Sequence, residues 1–373
     1  MSQTNFSLLT SEQLTAWSRD FWRVARNASF INKFAGSGPN AMVQKITELT
    51  KGPKGTRAVL TLIAEMSGDG VTGDNALEGN EEALRAYDMV VNIDQLRMAN
   101  KNTGKLADQK SVVTFRETSR DVLAYAFADR MDQLAFLTLS GVAYTYKNNG
   151  GTRLVNPGAG QNLSELEFAA DVTAPSTNRH LRWDFDALDI AAGDTSLVEP
   201  DDYLSYRAIV ALKAFAKDNY IRGIRQGSEE VYHMFVTPQQ MAKLKLDSDF
   251  LANVRNAGVR GAENSLFAGT SSVMVDGIMI HEFRHVFNTK GAASGSRWGS
   301  GGTIHGARAL FCGAQALALA DIGAPEMVEE EFDYGNSCGI SIGKIFGMKK
   351  PKFQSDYNNA VEDFGVIAFD TAI

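Results

Sequence analysis

Only two cysteines, Cys312 and Cys338, occur in the 373 residues, and they do not form a C-x-x-C pair. That excludes a disulfide scaffold and a four-cysteine zinc site, and it suits synthesis in a reducing compartment such as the cytosol. Long apolar runs are also missing. No stretch of about eighteen apolar residues could span a bilayer. The N-terminal MSQTNFSLLTSEQLTAWSRDFW has no basic segment leading into an apolar one, so neither secretion by that route nor a membrane partner is expected. A long basic run is absent as well. Lys and Arg total 37 against 44 Asp and Glu, a formal charge of -7 that argues against sequence-specific DNA reading. No internal repeat of fixed period is visible.

What remains is a globular composition, 44% hydrophobic and 22% charged, with enough chain for a substantial core. Near the start, Leu14, Trp17, Phe21 and Val24 recur at helical steps, predicting an amphipathic arm. Its aromatics are expected to be buried against the body or against a neighbouring subunit, and periodicity alone leaves both open. Residues 56–66 and 86–96 are rich in β-formers and flank SGDGVTGDNALEGNEE, which predicts an extended hairpin with an acidic tip: Asp69, Asp74, Glu78, Glu81 and Glu82. An EF-hand loop starting at Asp69 is excluded, because Asp74 occupies the position that requires glycine. From Lys105 to Ser140 there is no Gly or Pro, and Phe115, Leu123, Phe127, Met131 and Leu134 follow a helical period. A helix through most of that window would be about 45 to 50 Å long.

Residues 147–200 read as loop-rich, and 201–220 as an amphipathic helix opened by an acidic cap, with Leu204, Ala208, Leu212 and Phe215 on one stripe. A strand (VYHMFV), a Pro-initiated helix (PQQMAKLKLD) and a hairpin around Asp276-Gly277 follow. GAASGSRWGSGGTIHG reads as a mobile loop, ARALFCGAQALALADIG as helix or strand, and the remainder as antiparallel strands.

One string within that hairpin has the look of an enzyme. His281, Glu282 and His285 fit H-E-x-x-H, which on a helix grips zinc with two imidazoles while the glutamate activates water. Only a helix makes residues four apart neighbours. The flanking Val273, Val275, Ile278 and Ile280 favour a strand, in which His281 and His285 point to one side about 13 Å apart. A zinc metallopeptidase is therefore the lesser alternative. GNSCG around Ser337 lacks a following helix, and His305, the last histidine, lies upstream of it. GISIGKI has Cys338 and Ile345 where a phosphate-binding loop needs Gly and Ser or Thr. Cys312, in an apolar run, reads as a buried structural thiol, and Lys349, Lys350 and Lys352 as a solvated basic face. No catalytic, cofactor-binding or metal residue is assigned.

The order of arm, long hairpin, long helix, loop-rich region and mixed segment resembles the major capsid proteins of tailed bacteriophages, of HK97-type fold. So do the strings GVTGDNALEGNEEALRAYDMVVNIDQLR, FVTPQQMAKLKLD, GIMIHEF, ARALFCGAQALALA and DYGNSCGISIGKIFGMKKPKF, which are similar to a podovirus-like group of them. The resemblance implies an α+β fold with an N-terminal arm at 1–55, an E-loop hairpin at 56–97, a P domain with a spine helix at 98–197, an A domain at 198–325, and C-terminal strands returning to the P domain at 326–373. It implies self-assembly into pentamers and hexamers of an icosahedral head around double-stranded DNA, made in the host cytoplasm and ending in the virion. A portal and a decoration protein are further implied partners. Because only about 50 residues precede the hairpin, a separate scaffolding protein is expected. Contacts between subunits are expected at the five acidic tip residues and at Trp17 and Phe21. A bacterial nanocompartment shell, which shares the fold, is the nearest rival.

Overall fold

Phe115–Ser140 forms one α-helix of 26 residues, about 39 Å long, shorter than the Gly- and Pro-free window suggested. A separate short helix, Lys105–Lys110, precedes it. The computed structural model describes residues 29–47, 57–63, 70–81, 86–110, 115–256, 272–355 and 358–373. The predicted arm with Trp17 and Phe21, and tip residues Asp69 and Glu82, lie outside that set. The long helix is amphipathic at its start and apolar all round near its end, where Leu134, Ala135, Phe136, Leu137 and Leu139 are fully buried. It stops at Gly141, whose φ of 67° suits glycine. Val142 N–H reaches back to Leu137 O at 3.0 Å and Gly141 N–H to Thr138 O at 3.2 Å, so the last carbonyls are satisfied by a left-handed cap.

Two sheets flank this helix. The first has five strands in the order β1-β2-β13-β14-β5. These are β1 (Ala35–Gly36), β2 (Val43–Ile46), β5 (Asp94–Lys101), β13 (Leu317–Phe332) and β14 (Ser337–Lys349). Leu123, Phe127 and Met131 of the helix share one core with Ile340, Ile342 and Phe346 of β14. Strands β13 and β14 run on together as a long ribbon whose register shifts between Ile322 and Glu326.

The second sheet has eight strands in the order β10-β11-β9-β12-β17-β6-β7, with β8 on β9. They are β6 (His180–Asp184), β7 (Asp189–Ala192), β8 (Ile224–Gln226), β9 (Glu229–Val236), β10 (Ser272–Val275), β11 (Ile278–Glu282), β12 (Gly306–Cys312) and β17 (Val366–Ala372). Helix Tyr206–Asp218 buries Ala208, Ile209 and Leu212 against it. Two pairs stand apart: β3 (Arg57–Ile63) with β4 (Ala86–Asn92), and β15 (Lys352–Ser355) with β16 (Ala360–Asp363).

Several local expectations change. The strand expected over 86–96 is two, β4 and β5, divided at Ile93. Gly347 permits the division, since a Cβ there would lie 2.1 Å from Asn92 O. Helix Tyr206–Asp218 is capped by Ser205, whose hydroxyl accepts from Ala208 N–H at 3.3 Å, rather than by an acid. Asp202 is engaged instead by the N–H groups of Phe185 and Glu199. The Pro-initiated helix Pro238–Leu246 starts as expected, with a capping box between Thr237 and Gln240.

The glycine-rich stretch is a packed loop. Trp298 and Ile304 exchange two 3.0 Å backbone hydrogen bonds, and Gly306 lies so close under the Trp298 ring that any Cβ would collide with it. ARALFC and the following LALADIG are both strands. Lys350 is not solvated but buried, 2.8 Å from Asp363, and Lys349 bonds Asp171 at 3.0 Å.

Arg308 on β12 joins helix and second sheet. Its guanidinium donates to both Asp370 oxygens on β17, at 2.7 and 2.9 Å, and to Ser140 O at the helix end, at 2.9 Å. Asp370 also meets His180 Nε2 at 2.6 Å and is wholly buried. Replacing Arg308 by Met would leave that buried carboxylate with His180 as its one remaining side-chain partner among the described residues. A destabilisation of about 3–5 kcal/mol is expected in denaturant melts of the unassembled subunit. A loss below about 1 kcal/mol would contradict the role given to this pair.

Candidate functional site

The H-E-x-x-H string is not on a helix. His281 and Glu282 end strand β11, which pairs in parallel with β9, and His285 lies beyond the strand in a turn. The expectation that both histidines share one strand is thus corrected, because the chain turns after Glu282. Phe283 N–H still bonds Val236 O at 3.0 Å, and the pairing goes no further. The two imidazoles have separate partners. His281 Nε2 meets His233 Nδ1 at 3.0 Å, whereas His285 Nε2 meets Asp129 Oδ1 of the long helix at 2.6 Å. Zinc chemistry through His281, Glu282 and His285 has no geometric basis here. Among the described residues, no group of three or more His, Cys, Asp or Glu side chains is arranged to hold a metal ion.

The His233–His281 pair sits beneath the start of the described chain. Phe30 and Phe34 pack edge-on to the His281 ring, and Phe235 stacks on it. Burial, reinforced by His233 and by Lys33, pushes His281 down to about 4, and burial lowers His233 also. Both rings are neutral at pH 7, so one can donate and the other accept. A carboxylate fixes the segment above them. Asp132 of the long helix accepts from Ser29 Oγ at 2.7 Å, Phe30 N–H at 2.8 Å and Ile31 N–H at 3.1 Å. Burial raises the Asp132 pKa despite these three bonds.

The β3–β4 hairpin has two unlike faces. Ala58, Leu60, Met89 and Val91 are buried against Ala318 and Ala320 of β13, while Arg57, Asp88 and Val90 on the other face are exposed. The chain's own body therefore covers one face at the base. The described tip, residues 70–81, is open. Asp74, Glu78 and Glu81 are exposed, and Leu77 among them is 61% exposed. Glu81 turns one carboxylate oxygen back to Gly79 N–H at 2.7 Å.

Sequence reading missed His233, Asp132 and the Arg308–Asp370 pair. Asp132 left a faint signal, a charged residue on the apolar stripe between Met131 and Leu134. The others lie in strands buried on both faces, β12 and β17 throughout and β9 from Val231 to Val236, where no alternation singles out a polar residue.

Comparison with known proteins places this geometry. The model of the family described as phage capsid protein matches residues 5–373. The major capsid protein of Pseudomonas phage KPP25 is 57% identical over 367 residues, covering 98% of this chain and 96% of the relative. Among solved structures, the capsid of Ralstonia phage GP4 superposes with a TM-score of 0.71 at 26% identity, covering 92% of this chain and 90% of that one. The cyanophage Pam1 capsid gives 0.69 at 18% identity over 99% of both chains.

Because the folded His281 titrates below an unfolded histidine, the unfolded chain binds more protons between pH 6.5 and about 4. This contribution to stability is complete above pH 6.5 and is lost as pH falls toward 4, amounting to roughly 3 kcal/mol. Melting of the unassembled subunit should drop over that window, and His281→Gln should flatten the drop. A variant as pH-sensitive as the parent would count against the assignment.

Proposed function

The chain belongs to the phage capsid protein family, and from that membership we propose a role for each of its segments. It is a major capsid protein that forms the phage head, structural rather than enzymatic, located in the virion capsid and assembling with copies of itself. Its mixed α+β fold is the HK97-like one of phage capsids. The 57% identical phage relative favours a virus head over a nanocompartment shell.

In the proposed division, 1–55 is the N-terminal arm, 56–97 the E-loop, 98–197 the P domain with Phe115–Ser140 as its spine, and 198–325 the A domain. The C-terminal strands at 326–373 complete the P domain, except that β17 lies inside the sheet given to the A domain. The subunits form pentamers and hexamers of an icosahedral shell. That shell encloses double-stranded DNA without reading its sequence, which the net charge of -7 favours. A separate scaffolding protein, a portal and a decoration protein complete the particle. The quoted sequence strings support a podovirus-like group. Trp17 and Phe21 of the arm, and Asp69, Asp74, Glu78, Glu81 and Glu82 of the tip, contact neighbouring subunits.

The observation that carries this reading is the β3–β4 hairpin, held to the body by one face of its base while the described part of its acidic tip, residues 70–81, is exposed. A lone two-stranded pair with an uncovered end is marginal by itself, and a second subunit supplies what it lacks.

Electron microscopy of the purified protein should show hollow icosahedral shells or capsomers, and a persistently monomeric preparation would refute the proposal. Reversing the tip through Glu81→Lys with Glu82→Lys should lower shell yield several-fold at low salt. Glu282→Gln should leave shell formation unchanged, with no stoichiometric zinc in either protein by elemental analysis. A peptidase activity lost in that variant would reinstate the enzyme reading.

A further inference from the structure

A group of cations gathers at one side of the long helix around a single carboxylate. Asp129 accepts from Arg284 at 2.8 Å, from His285 at 2.6 Å and from Gln133 Nε2 at 2.7 Å. Its Oδ1 is thereby shared by Arg284 and His285. Two further guanidiniums crowd beside it and share one neutral acceptor: Gln133 Oε1 receives Arg130 Nη1 at 2.8 Å and Arg153 Nη2 at 3.1 Å. Arg153 gives one more bond, to Tyr146 O at 3.0 Å. Neither Arg130 nor Arg153 has an ion-pair partner among the described residues. Like charges held at a shared amide oxygen repel each other. Burial and the Arg130 charge both lower the Arg153 pKa.

Beside the arginines the surface turns apolar. Leu154 is 86% exposed and Val155 81%, and Tyr146 is exposed alongside. Such a surface asks for a partner that carries carboxylates next to an aliphatic side chain. The tip of the β3–β4 hairpin is one. Between residues 70 and 81 there is no Lys or Arg, and Leu77 lies between Asp74 and Glu78, with Glu81 one turn further on. All four are exposed. A second basic group suits this partner less well. Lys213, Lys217 and Arg225 line a cleft that also holds Glu229, Glu230 and Asp276, so their charge is matched internally.

We propose that the Arg130–Arg153–Arg284 cluster, with Leu154 and Val155, is the dock for the acidic hairpin tip of a second copy of this chain. The arginines take up Glu78 and Glu81, and Leu77 covers the exposed aliphatic pair. This rests on the capsid reading and names the receiving surface for the tip. Bidentate guanidinium–carboxylate pairing gives such a contact direction as well as strength.

Charge exchange tests it. Wild-type shells are first verified by electron microscopy, since their absence would sink the capsid reading itself and not the pairing alone. Tip reversal (Glu78→Lys with Glu81→Lys) and cluster reversal (Arg130→Glu with Arg153→Glu) should each reduce sedimentable shells about tenfold, and the two combined should restore most of the yield. Circular dichroism of the unassembled subunits shows that each variant is folded. Should cluster reversal unfold the subunit, the exposed Arg284→Glu takes its place. A disulfide readout avoids charge altogether: Glu78→Cys with Arg153→Cys should give covalent oligomers in assembled shells that the native cysteines alone do not give. The proposal is overturned if either reversal assembles normally, if folded combined variants do no better than single reversals, or if shells of the cysteine pair remain uncrosslinked.

Discussion

The Arg308–Asp370 pair is the interaction on which the architecture turns. The long helix shares its apolar core with β14 of the first sheet and with Phe235, Leu310 and Val366 of the second, and Arg308 and Asp370 add a polar link to that second sheet. By donating to Ser140 O as well as to Asp370, Arg308 attaches the helix end to that second sheet and satisfies a carbonyl the helix would otherwise leave open. A buried ion pair adds little net stability compared with well-packed apolar groups, but losing one partner is costly. It therefore specifies one arrangement of helix and sheet more than it strengthens it. Arg179 with Glu362 and Lys350 with Asp363 repeat the device where β16 meets the rest of the body.

Local rules carried much of the fold. The Asp276-Gly277 turn was legible because both residues adopt positive φ, 45° and 74°, as a two-residue hairpin requires. The start of Pro238–Leu246 was equally readable from its proline, while the capping box came only with the structure. What escaped depends on partners distant in sequence. Lys350 reads as a solvated lysine until Asp363 is seen beside it, and the H-E-x-x-H histidines find His233, 48 residues before His281, and Asp129, 156 residues before His285. The glycine-rich stretch was misread because glycine serves both loose loops and close approach, and only the Trp298 ring over Gly306 tells which applies. Of the candidate contact residues, the acidic tip was visible as composition. The arginines proposed to receive it were not, since Arg130, Arg153 and Arg284 come from three separate segments.

A subunit that must join others faces a conflict between being well satisfied alone and leaving surface for its neighbours. Here the two demands are separated in space. Buried charges are paired within the body, while exposed carboxylates at 74, 78 and 81 and exposed aliphatics at 154 and 155 lie at the periphery. The covered face of β3–β4 shows how close the two regimes come, because the same strands are core on one side and open on the other.

The long ribbon of β13 and β14 has a mechanical consequence. Its ladder is continuous from Glu326 to Phe332 and from Ala318 to Ile322, but the register slips between those two runs. The β13–β14 hydrogen bonds are interrupted at such a slip. The outer run, seven residues or about 23 Å, ends at the turn carrying the fully exposed Tyr334. The third strand splints that slip, because β5 pairs with β14 without a break from Gly339 to Phe346, and Met327, Ile340 and Ile342 of the outer run pack in the helix core, so a load applied at Tyr334 is passed into that core.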